Sequence, residues 1–228
     1  MGSYEYKKYV RFLLPLLLLL ILSIWVITRD PNLPPLKDGD LIFQTSTSTQ
    51  SKAILVATAS AYTHVGLLKK QGDAWVVIEA VAHVKETPLT EWIDRGLFKR
   101  VAIYRDSQLS AAQTQQIFSA ATHLYGKPYN PFFSFDDNGI YCSELPYLAY
   151  KAAGIPIGEI QKVADLNIDN ILVKKLIAQR WQRYPACQMR HYDFEACYRY
   201  ILAQPLITPA SLARDGQFEK IYSNYLFY

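Results

Sequence analysis

The sequence predicts an α+β fold, in which a small antiparallel sheet packs on helices and a transmembrane helix precedes the domain. Three observations predict it. First, an apolar run occupies residues 12–28. Second, two β-patterned segments, 63–68 and 74–82, are joined by a polar connection that contains Gly72. Third, later segments carry helix start and stop signals. With 228 residues, half of them hydrophobic, the chain suits one well-cored domain and an anchor.

The N-terminal segment, residues 1–29, is predicted to be a membrane anchor. Lys7, Lys8 and Arg11 precede the apolar run, whose length is near the lower limit of about 17 residues for a spanning helix. A cleaved signal peptide is the alternative, but the end of the run lacks the pair of small residues that a cleavage site needs. Since basic residues before a span stay in the cytoplasm, we expect a single-pass protein of the bacterial inner membrane with a periplasmic domain.

A short linker is predicted between the anchor and the domain. Pro31, Pro34 and Pro35 stiffen residues 30–36, because proline fixes φ and disfavours helix in the residue before it. The domain itself is therefore predicted to occupy residues 37–228.

Local signals assign further elements of this domain. Besides the two strands named above, strands are expected at 40–44 and 99–105. A hydroxyl of the Ser/Thr-rich segment 45–51 is expected to cap a helix that runs to Ala59. Ser110 and Gln113 have the spacing of a capping box, and the helix that they begin should end near Gly126.

Charge and motif spacing exclude several classes of function. The net charge of +4 is spread along the chain rather than gathered in a basic stripe, so nucleic-acid binding is not expected. Asp136 and Asp137 lack the spacing of a calcium loop, no zinc-type cluster occurs, and no glycine-rich nucleotide motif is present, so neither metal nor cofactor is predicted. Because they closely precede Cys142, the two aspartates are instead candidates for substrate contact.

The chain has an odd number of cysteines, three in all. Cys187 and Cys197 are close in sequence and would form a disulfide in an oxidising compartment, which leaves Cys142 as the unpaired thiol. The alternative is three unrelated buried thiols.

Cys142 is the candidate nucleophile. Gly139 marks a turn before it and residues 143–153 have helical composition, so its sulfur should lie at a helix N-terminus, where the dipole favours a thiolate. Pro146 fits this placement because proline is tolerated in the first helical turn. The backbone amide of Cys142 would face a developing oxyanion.

His64 and Glu79 are the candidates for the base and for the acid that orients it. Each lies in one of the two paired strands, and a lone carboxylate in an apolar strand requires a partner. Tyr62 and Gly66 share a face with His64; Gly66 would leave room for the imidazole, and Tyr62 is a candidate wall residue or oxyanion donor. Structural roles for these residues are the alternative.

Six motifs in order resemble one known family. They are GDLIF at 39–43, YTHVG at 62–66, IEAV at 78–81, TPL at 87–89, GKPY at 126–129 and YCSEL at 141–145. The sequence is similar over roughly residues 37–157, with a weaker echo at 207–215, to the YiiX-like permuted papain-type enzymes of the NlpC-type cell-wall hydrolase superfamily. The order His64, Glu79, Cys142 matches the permuted group.

This resemblance implies a circularly permuted papain-like fold and a catalytic Cys142, His64 and Glu79. Segment 183–200 looks like an insertion relative to shorter members. The expected reaction is hydrolysis of an amide through an acyl-thioester, with peptidoglycan stem peptides as the expected substrate. An ester or amide of a membrane lipid is the rival substrate, and a non-catalytic envelope-binding module is the third interpretation. The sequence does not indicate an oligomeric state.

Overall fold

The computed structural model describes residues 13–18, 29–135 and 139–226. The chain divides into two units, Met1–Asn32 and Leu33–Tyr228. In the first unit residues 13–18 are helical, and the rest of the predicted apolar run lies outside the described residues. Within the described part, no helix has both the length and the apolar character needed to cross a membrane. The transmembrane anchor therefore stays a prediction.

The second unit is an α+β domain, as the sequence predicts. Its strands are β1 (Leu41–Ser46), β2 (His64–Gln71), β3 (Ala74–Ala80), β4 (Val84–Pro88), β5 (Gly96–Arg105), β6 (Gln161–Lys162), β7 (Pro205–Leu206) and β8 (Glu219–Ser223). Its α-helices are α1 (Ser51–Thr58), α2 (Leu89–Asp94), α3 (Ala111–His123), α4 (Glu144–Ala152), α5 (Ile171–Arg180), α6 (Pro185–Met189), α7 (Phe194–Leu202) and α8 (Pro209–Arg214). Two short 3₁₀ helices cover Val163–Asp165 and Trp181–Arg183.

A six-stranded antiparallel sheet forms the centre of this domain, in the order β4-β3-β2-β1-β5-β8. β2 and β3 are joined by the predicted polar turn and pair with Leu67 opposite Ile78. On the other side of β2, His64 pairs with Gln44 of β1. This register fixes which residues of β1, β2 and β3 share a face.

The two faces of the sheet bury different cores. Side chains such as Val65, Leu67 and Ile78 belong to a large cluster that includes Leu145 of α4. Alternate residues point the other way and pack with Trp92 of α2. His64, Gly66 and Glu79 alternate with the first set and so lie on the α2 face.

The predicted cap of α1 is wrong. The helix begins after Gln50, whose side chain makes no capping bond. The neighbouring hydroxyls are used elsewhere, since Ser51 Oγ lies 2.5 Å from Thr63 Oγ1, which in turn accepts a bond of 2.8 Å from the amide of Ser46. These bonds tie the Ser/Thr-rich segment to the start of β2. By contrast, the capping box of Ser110 and Gln113 is confirmed at the start of α3.

Part of the predicted linker belongs to the folded domain. Leu33 and Leu36, within the predicted linker, pack against the core on the α2 face. The division between the two units accordingly falls before Leu33.

A small separate core holds the late helices together. A disulfide joins Cys187 of α6 to Cys197 of α7, with their Cα atoms 5.5 Å apart. Both sulfurs are buried with Tyr184 and Ile201. Cys142 is the free cysteine.

We expect thiol titration of the denatured, unreduced protein to count one free sulfhydryl and, after reduction, three. Closing so short a loop should contribute on the order of 2–3 kcal/mol, so Cys197→Ser should lower the midpoint of urea unfolding. Cys142→Ser serves as the control and should not change the response of that midpoint to a reductant. A count of three thiols before reduction would contradict the pairing.

Candidate active site

The centre of the candidate site is a buried pair on the α2 face of the sheet. His64 Nε2 lies 2.7 Å from Glu79 Oε2. Glu79 is completely buried and His64 is 7% exposed. Adjacent strands present both side chains on one face, so the register of β2 and β3 brings them together.

Two further residues hold the Glu79 carboxylate. Thr87 of β4 donates its hydroxyl to Glu79 Oε1 at 2.6 Å, and Arg95, directly after α2, forms an ion pair with the same oxygen. Burial alone would raise the pKa of Glu79, but the hydrogen bonds from His64 and Thr87 and the charge of Arg95 lower it below its usual value. The carboxylate therefore stays ionised in a buried position.

Gly66 makes room for a different neighbour from the one expected. A Cβ at this position would stand 2.3 Å from Val77 Cγ1 and 2.9 Å from the carbonyl oxygen of Ile78. The three atoms nearest to such a Cβ all belong to β3. It lets β3 approach β2 closely enough for Glu79 to reach His64.

Backbone contacts on both sides fix the segment that carries Cys142. The amide of Ile140 donates to the carbonyl of Pro128 at 2.9 Å. This close approach requires glycine at position 139, because a Cβ there would stand 2.7 Å from the same carbonyl oxygen. Beyond the cysteine, Ser143 Oγ donates to the carbonyl of Ile207 at 2.9 Å. α4 then begins at Glu144, so Cys142 lies just before a helix N-terminus, as predicted.

Cys142 lies beside His64, close enough that its sulfur favours the charged imidazolium. Since Nε2 of the imidazole faces Glu79, Nδ1 is the nitrogen left for the sulfur. Burial opposes the charged imidazolium, but the interactions with Cys142 and then with Glu79 outweigh it and raise the pKa of His64 to about 9. Trp92 of α2 stacks on the ring with centroids 5.8 Å apart and fixes its plane.

Tyr129 completes the surroundings of the sulfur. Burial, and next the charge of the Cys142 sulfur, raise the pKa of Tyr129 well above its usual value. Its hydroxyl accepts a bond of 2.8 Å from Gln50 Nε2, and Arg180 donates to Gln50 Oε1 at 2.9 Å. These three side chains form a polar chain beside Cys142.

The other sequence-predicted residues lie as follows. Tyr62 is 1% exposed and packs with the rings of Phe43, Tyr104 and Tyr225, so its position is that of a core residue. His83, which was not a predicted site residue and belongs to none of the six motifs, is exposed in the loop between β3 and β4. Asp136 and Asp137 lie outside the described residues.

Sequence reasoning missed Thr87, Trp92, Arg95 and Tyr129. Thr87 and Tyr129 stand in the TPL and GKPY motifs, so a signal for both was present. Trp92 and Arg95 belong to no such motif and come to the site only through the packing of α2.

Two recesses adjoin the site, one at Cys142 and the other at His64. The first, the apolar cavity, has Cys142 in its wall and is lined mainly by aliphatic and aromatic side chains, among them Ile54, Ala57, Phe132, Val173, Leu176, Ile177, Ile201 and Leu206. The second, the polar cleft, has His64 in its wall together with Gln44, Ser46, Thr47, Ser48, Thr49, Gln50, Arg95 and Tyr129. The cavity at the sulfur is thus almost wholly apolar, whereas the cleft at the imidazole mixes polar and apolar side chains.

In papain-like thiol hydrolases a thiol just before a helix stands beside an imidazole that a carboxylate or amide side chain holds. The same arrangement occurs here, with His and Glu before Cys in the chain. Residues 35–222 match the model of the permuted papain-like amidase family, YaeF/YiiX, C92. The chain belongs to this family.

Two relatives support this family membership. The chain is 38% identical over 165 residues to the uncharacterized protein YiiX of Escherichia coli K12, a match that covers 72% of this chain and 81% of YiiX. A crystal structure of YiiX from Escherichia coli O157:H7 superposes with a TM-score of 0.73 at 32% identity, and the match covers 83% of this chain and 98% of that one.

That crystal structure is described as one of a metalloprotein. In the part of this chain that the structure describes, no three His, Cys, Asp or Glu side chains are grouped to hold a metal ion. The described donors thus do not fit such a site, and no step below is routed through a metal.

The pKa of His64 can be tested by a pH titration of its ring signals, followed by NMR in the full-length protein. We expect a value near 9 in the parent and lower values in both Glu79→Gln and Cys142→Ser, because each change removes one of the contacts that raise it. His83→Ala, in the exposed loop, is the matched control. A parent value near the ordinary 6.5, or one indifferent to Glu79→Gln, would contradict this geometry.

Proposed function

We propose that this protein is a thiol amidase in which Cys142 is the nucleophile, His64 the general acid and base, and Glu79 the residue that orients the imidazole. The observation that carries the proposal is the buried hydrogen bond between Glu79 and His64, with Cys142 beside the imidazole. Membership of a papain-like amidase family supports the same reaction class.

The proposed reaction begins with a proton on His64. With its pKa raised to about 9, the imidazole is protonated at neutral pH, which favours a thiolate on Cys142 beside it. The thiolate attacks the acyl carbonyl, and the backbone amide of Cys142 is the proposed oxyanion donor. His64 then gives its proton to the leaving nitrogen, the C–N bond breaks, and an acyl-thioester remains.

Hydrolysis of the thioester restores the starting state. Neutral His64 takes a proton from water as the water attacks the thioester carbonyl, and the C–S bond breaks to release a carboxylic acid. Cys142 again carries the negative charge and His64 the proton. The sum is an amide and water converted to an acid and an amine.

We place this activity in the cell envelope. The basic residues before the apolar run predict an anchored protein with a periplasmic domain, and the Cys187–Cys197 disulfide supports an oxidising compartment. Protease added to spheroplasts should therefore degrade the domain. Its survival there while a known periplasmic protein is digested would contradict this placement.

Peptidoglycan stem peptides and acyl lipids are the two substrate classes that the sequence favours. Periplasmic placement supports the first, since the wall is there. The apolar cavity in which Cys142 stands is the specific observation that supports the second.

Alkylation by iodoacetamide tests the assignment of the nucleophile and base. Cys142→Ser should abolish labelling of the native protein. His64→Ala should slow it at neutral pH by at least about tenfold, because an imidazolium neighbour favours the thiolate. Glu79→Gln should give an intermediate rate, and the control His83→Ala should equal the parent. Mass mapping of the alkylated peptide locates the label. Equal labelling rates in the parent and in His64→Ala would refute the assignment of His64 as the group that activates Cys142.

Hydrolysis itself should fall as the pH rises through about 9, because His64 must hold a proton to release the leaving group. Since Glu79 raises the pKa of His64, Glu79→Gln should move this basic limb to lower pH. The measurement is kcat/KM against pH for the two proteins on the same substrate. A limb that stays in place would mean that Glu79 does not act through the imidazole.

A further inference from the structure

We propose that the polar cleft beside His64 binds the leaving group of the substrate through the carboxamide of Gln44, and that this leaving group is an uncharged sugar or other polyol. The inference rests on the proposed function and adds to it the class of the leaving group. It names the substrate as an amide of an amino sugar or amino polyol, whatever its acyl group is.

The position of the cleft decides which half of the substrate it can hold. His64 lines the cleft, and in the proposed reaction this imidazole gives its proton to the leaving nitrogen. The leaving amine must therefore lie within hydrogen-bond reach of the ring, so the group that the amine carries can extend into the cleft. The cleft and its open mouth enclose about 1070 Å³, comparable with the largest ligand pockets at about 1,000 Å³.

Gln44 is a buried hydrogen-bonding group in the wall of this cleft. In the register of β1 and β2 it is paired with His64, so the two side chains lie next to each other on one face of the sheet. Only 2% of Gln44 is exposed, and its Oε1 is buried with no hydrogen-bond partner among the described residues. A buried acceptor without a partner is unfavourable, and a hydrogen-bond donor of a bound ligand would satisfy it.

The fold makes room for this carboxamide. A Cβ at Gly96, the first residue of β5, would stand 2.1 Å from Gln44 Oε1, so glycine at this position lets the carboxamide lie where it does. A half turn of the terminal amide exchanges its oxygen and nitrogen, because the last torsion of a glutamine is only weakly restricted. Gln44 can therefore offer a ligand either an acceptor or a donor. A hydroxyl group suits both, because it donates one hydrogen bond and accepts others.

Hydroxyl groups form the rim of the cleft. Thr47, Ser48 and Thr49 line it and are exposed. The backbone beneath them is fixed, since the amide of Ser48 donates to Ser46 Oγ at 3.1 Å and the amide of Ser51 donates to the carbonyl of Ser48 at 3.1 Å. Three hydroxyls on a fixed backbone, each able to donate and accept, suit a ligand that carries several hydroxyls of its own.

The charges around the cleft disfavour an ionic leaving group. Among the described residues that line it there is no aspartate, glutamate or lysine. A second ammonium on the leaving group would therefore lack a counter-ion next to the protonated His64. The guanidinium of Arg95 is already paired with the buried Glu79, so a carboxylate or phosphate would compete with the contact that keeps this carboxylate ionised.

Apolar surface lies between these polar groups. Ala80, Val81, Pro131 and the ring of Tyr129 also line the cleft. A sugar ring has the same mixture, because its C–H faces lie between its hydroxyls. The lining therefore favours a cyclic polyol over an amine that is apolar throughout.

Leaving-group selectivity tests the proposal. The full-length protein in nanodiscs is given four amides of hexanoic acid, whose amines are glucosamine, cyclohexylamine, alanine and 1,5-diaminopentane, and the release of hexanoic acid is measured. Because the acyl group is constant, differences in kcat/KM report on the leaving-group side alone. We expect the value for the glucosamine amide to exceed each of the others by at least about tenfold, because a site built to hydrogen-bond hydroxyls rejects an analogue that lacks them.

Variants connect that selectivity to Gln44. Gln44→Met keeps the length of the side chain and removes its hydrogen bonds, and Gln116→Met makes the same change at an exposed position of α3. Gln44→Met should lower the ratio of kcat/KM for the glucosamine amide to that for the cyclohexylamine amide by at least about tenfold, whereas Gln116→Met should leave this ratio unchanged. Gly96→Ala, whose methyl group would displace the carboxamide, should lower the same ratio and is used if thermal melting shows that Gln44→Met does not fold.

The outcomes separate this inference from the proposed function. Acylation of Cys142 by p-nitrophenyl hexanoate, followed by the mass of the acylated peptide, is the reference, because this activated ester carries no polyol. If the ester acylates Cys142 but no amide is turned over, if the glucosamine amide is not preferred, or if Gln44→Met and Gly96→Ala retain the preference, the inference alone is overturned. If the ester does not acylate Cys142 in the parent, the proposed function itself fails.

Discussion

The buried carboxylate of Glu79 is the constraint on which the site depends. An ionised carboxylate that is fully removed from water is strongly unfavourable unless several groups compensate it. Here His64, Thr87 and Arg95 do so, and they come from β2, β4 and the end of α2. The charge therefore ties three elements to β3, and the imidazole that it holds is the one that reaches Cys142.

The same interaction explains the packing on this face of the sheet. Arg95 can meet Glu79 only where α2 packs over the sheet, and that placement also stacks Trp92 on the His64 ring. Gly66 permits the close approach of β3 that the pair requires. Loss of the carboxylate would leave Arg95 and His64 with charges but without their partner, so its removal should affect both packing and catalysis.

Much of this was predictable from the sequence. Period-two patterning and the polar turn at Gly72 predicted β2 and β3, and a lone charge in an apolar strand pointed to a partner for Glu79. The groups that compensate Glu79 were not predictable in this way. Trp92 reaches His64 and Arg95 reaches Glu79 only once α2 has folded onto the sheet. The cap of α1 was mispredicted because Ser51 bonds to Thr63 instead.

The two recesses could not be predicted from local sequence patterns either. The apolar cavity takes its wall from α1, α5, α7 and the segment around Ile207, which are far apart in sequence. Their side chains read individually as core residues. Only the folded chain shows that they leave a space beside Cys142, and that a polar cleft lies on the other side of the imidazole.

The central claim is that Glu79 acts on Cys142 through His64. A double-mutant cycle on the rate of Cys142 acylation by an activated ester tests it most directly, with the parent, Glu79→Gln, His64→Gln and the double variant measured at one pH. We predict that Glu79→Gln slows acylation in the parent and has no further effect in the His64→Gln background. Equal effects of Glu79→Gln in both backgrounds would contradict the account.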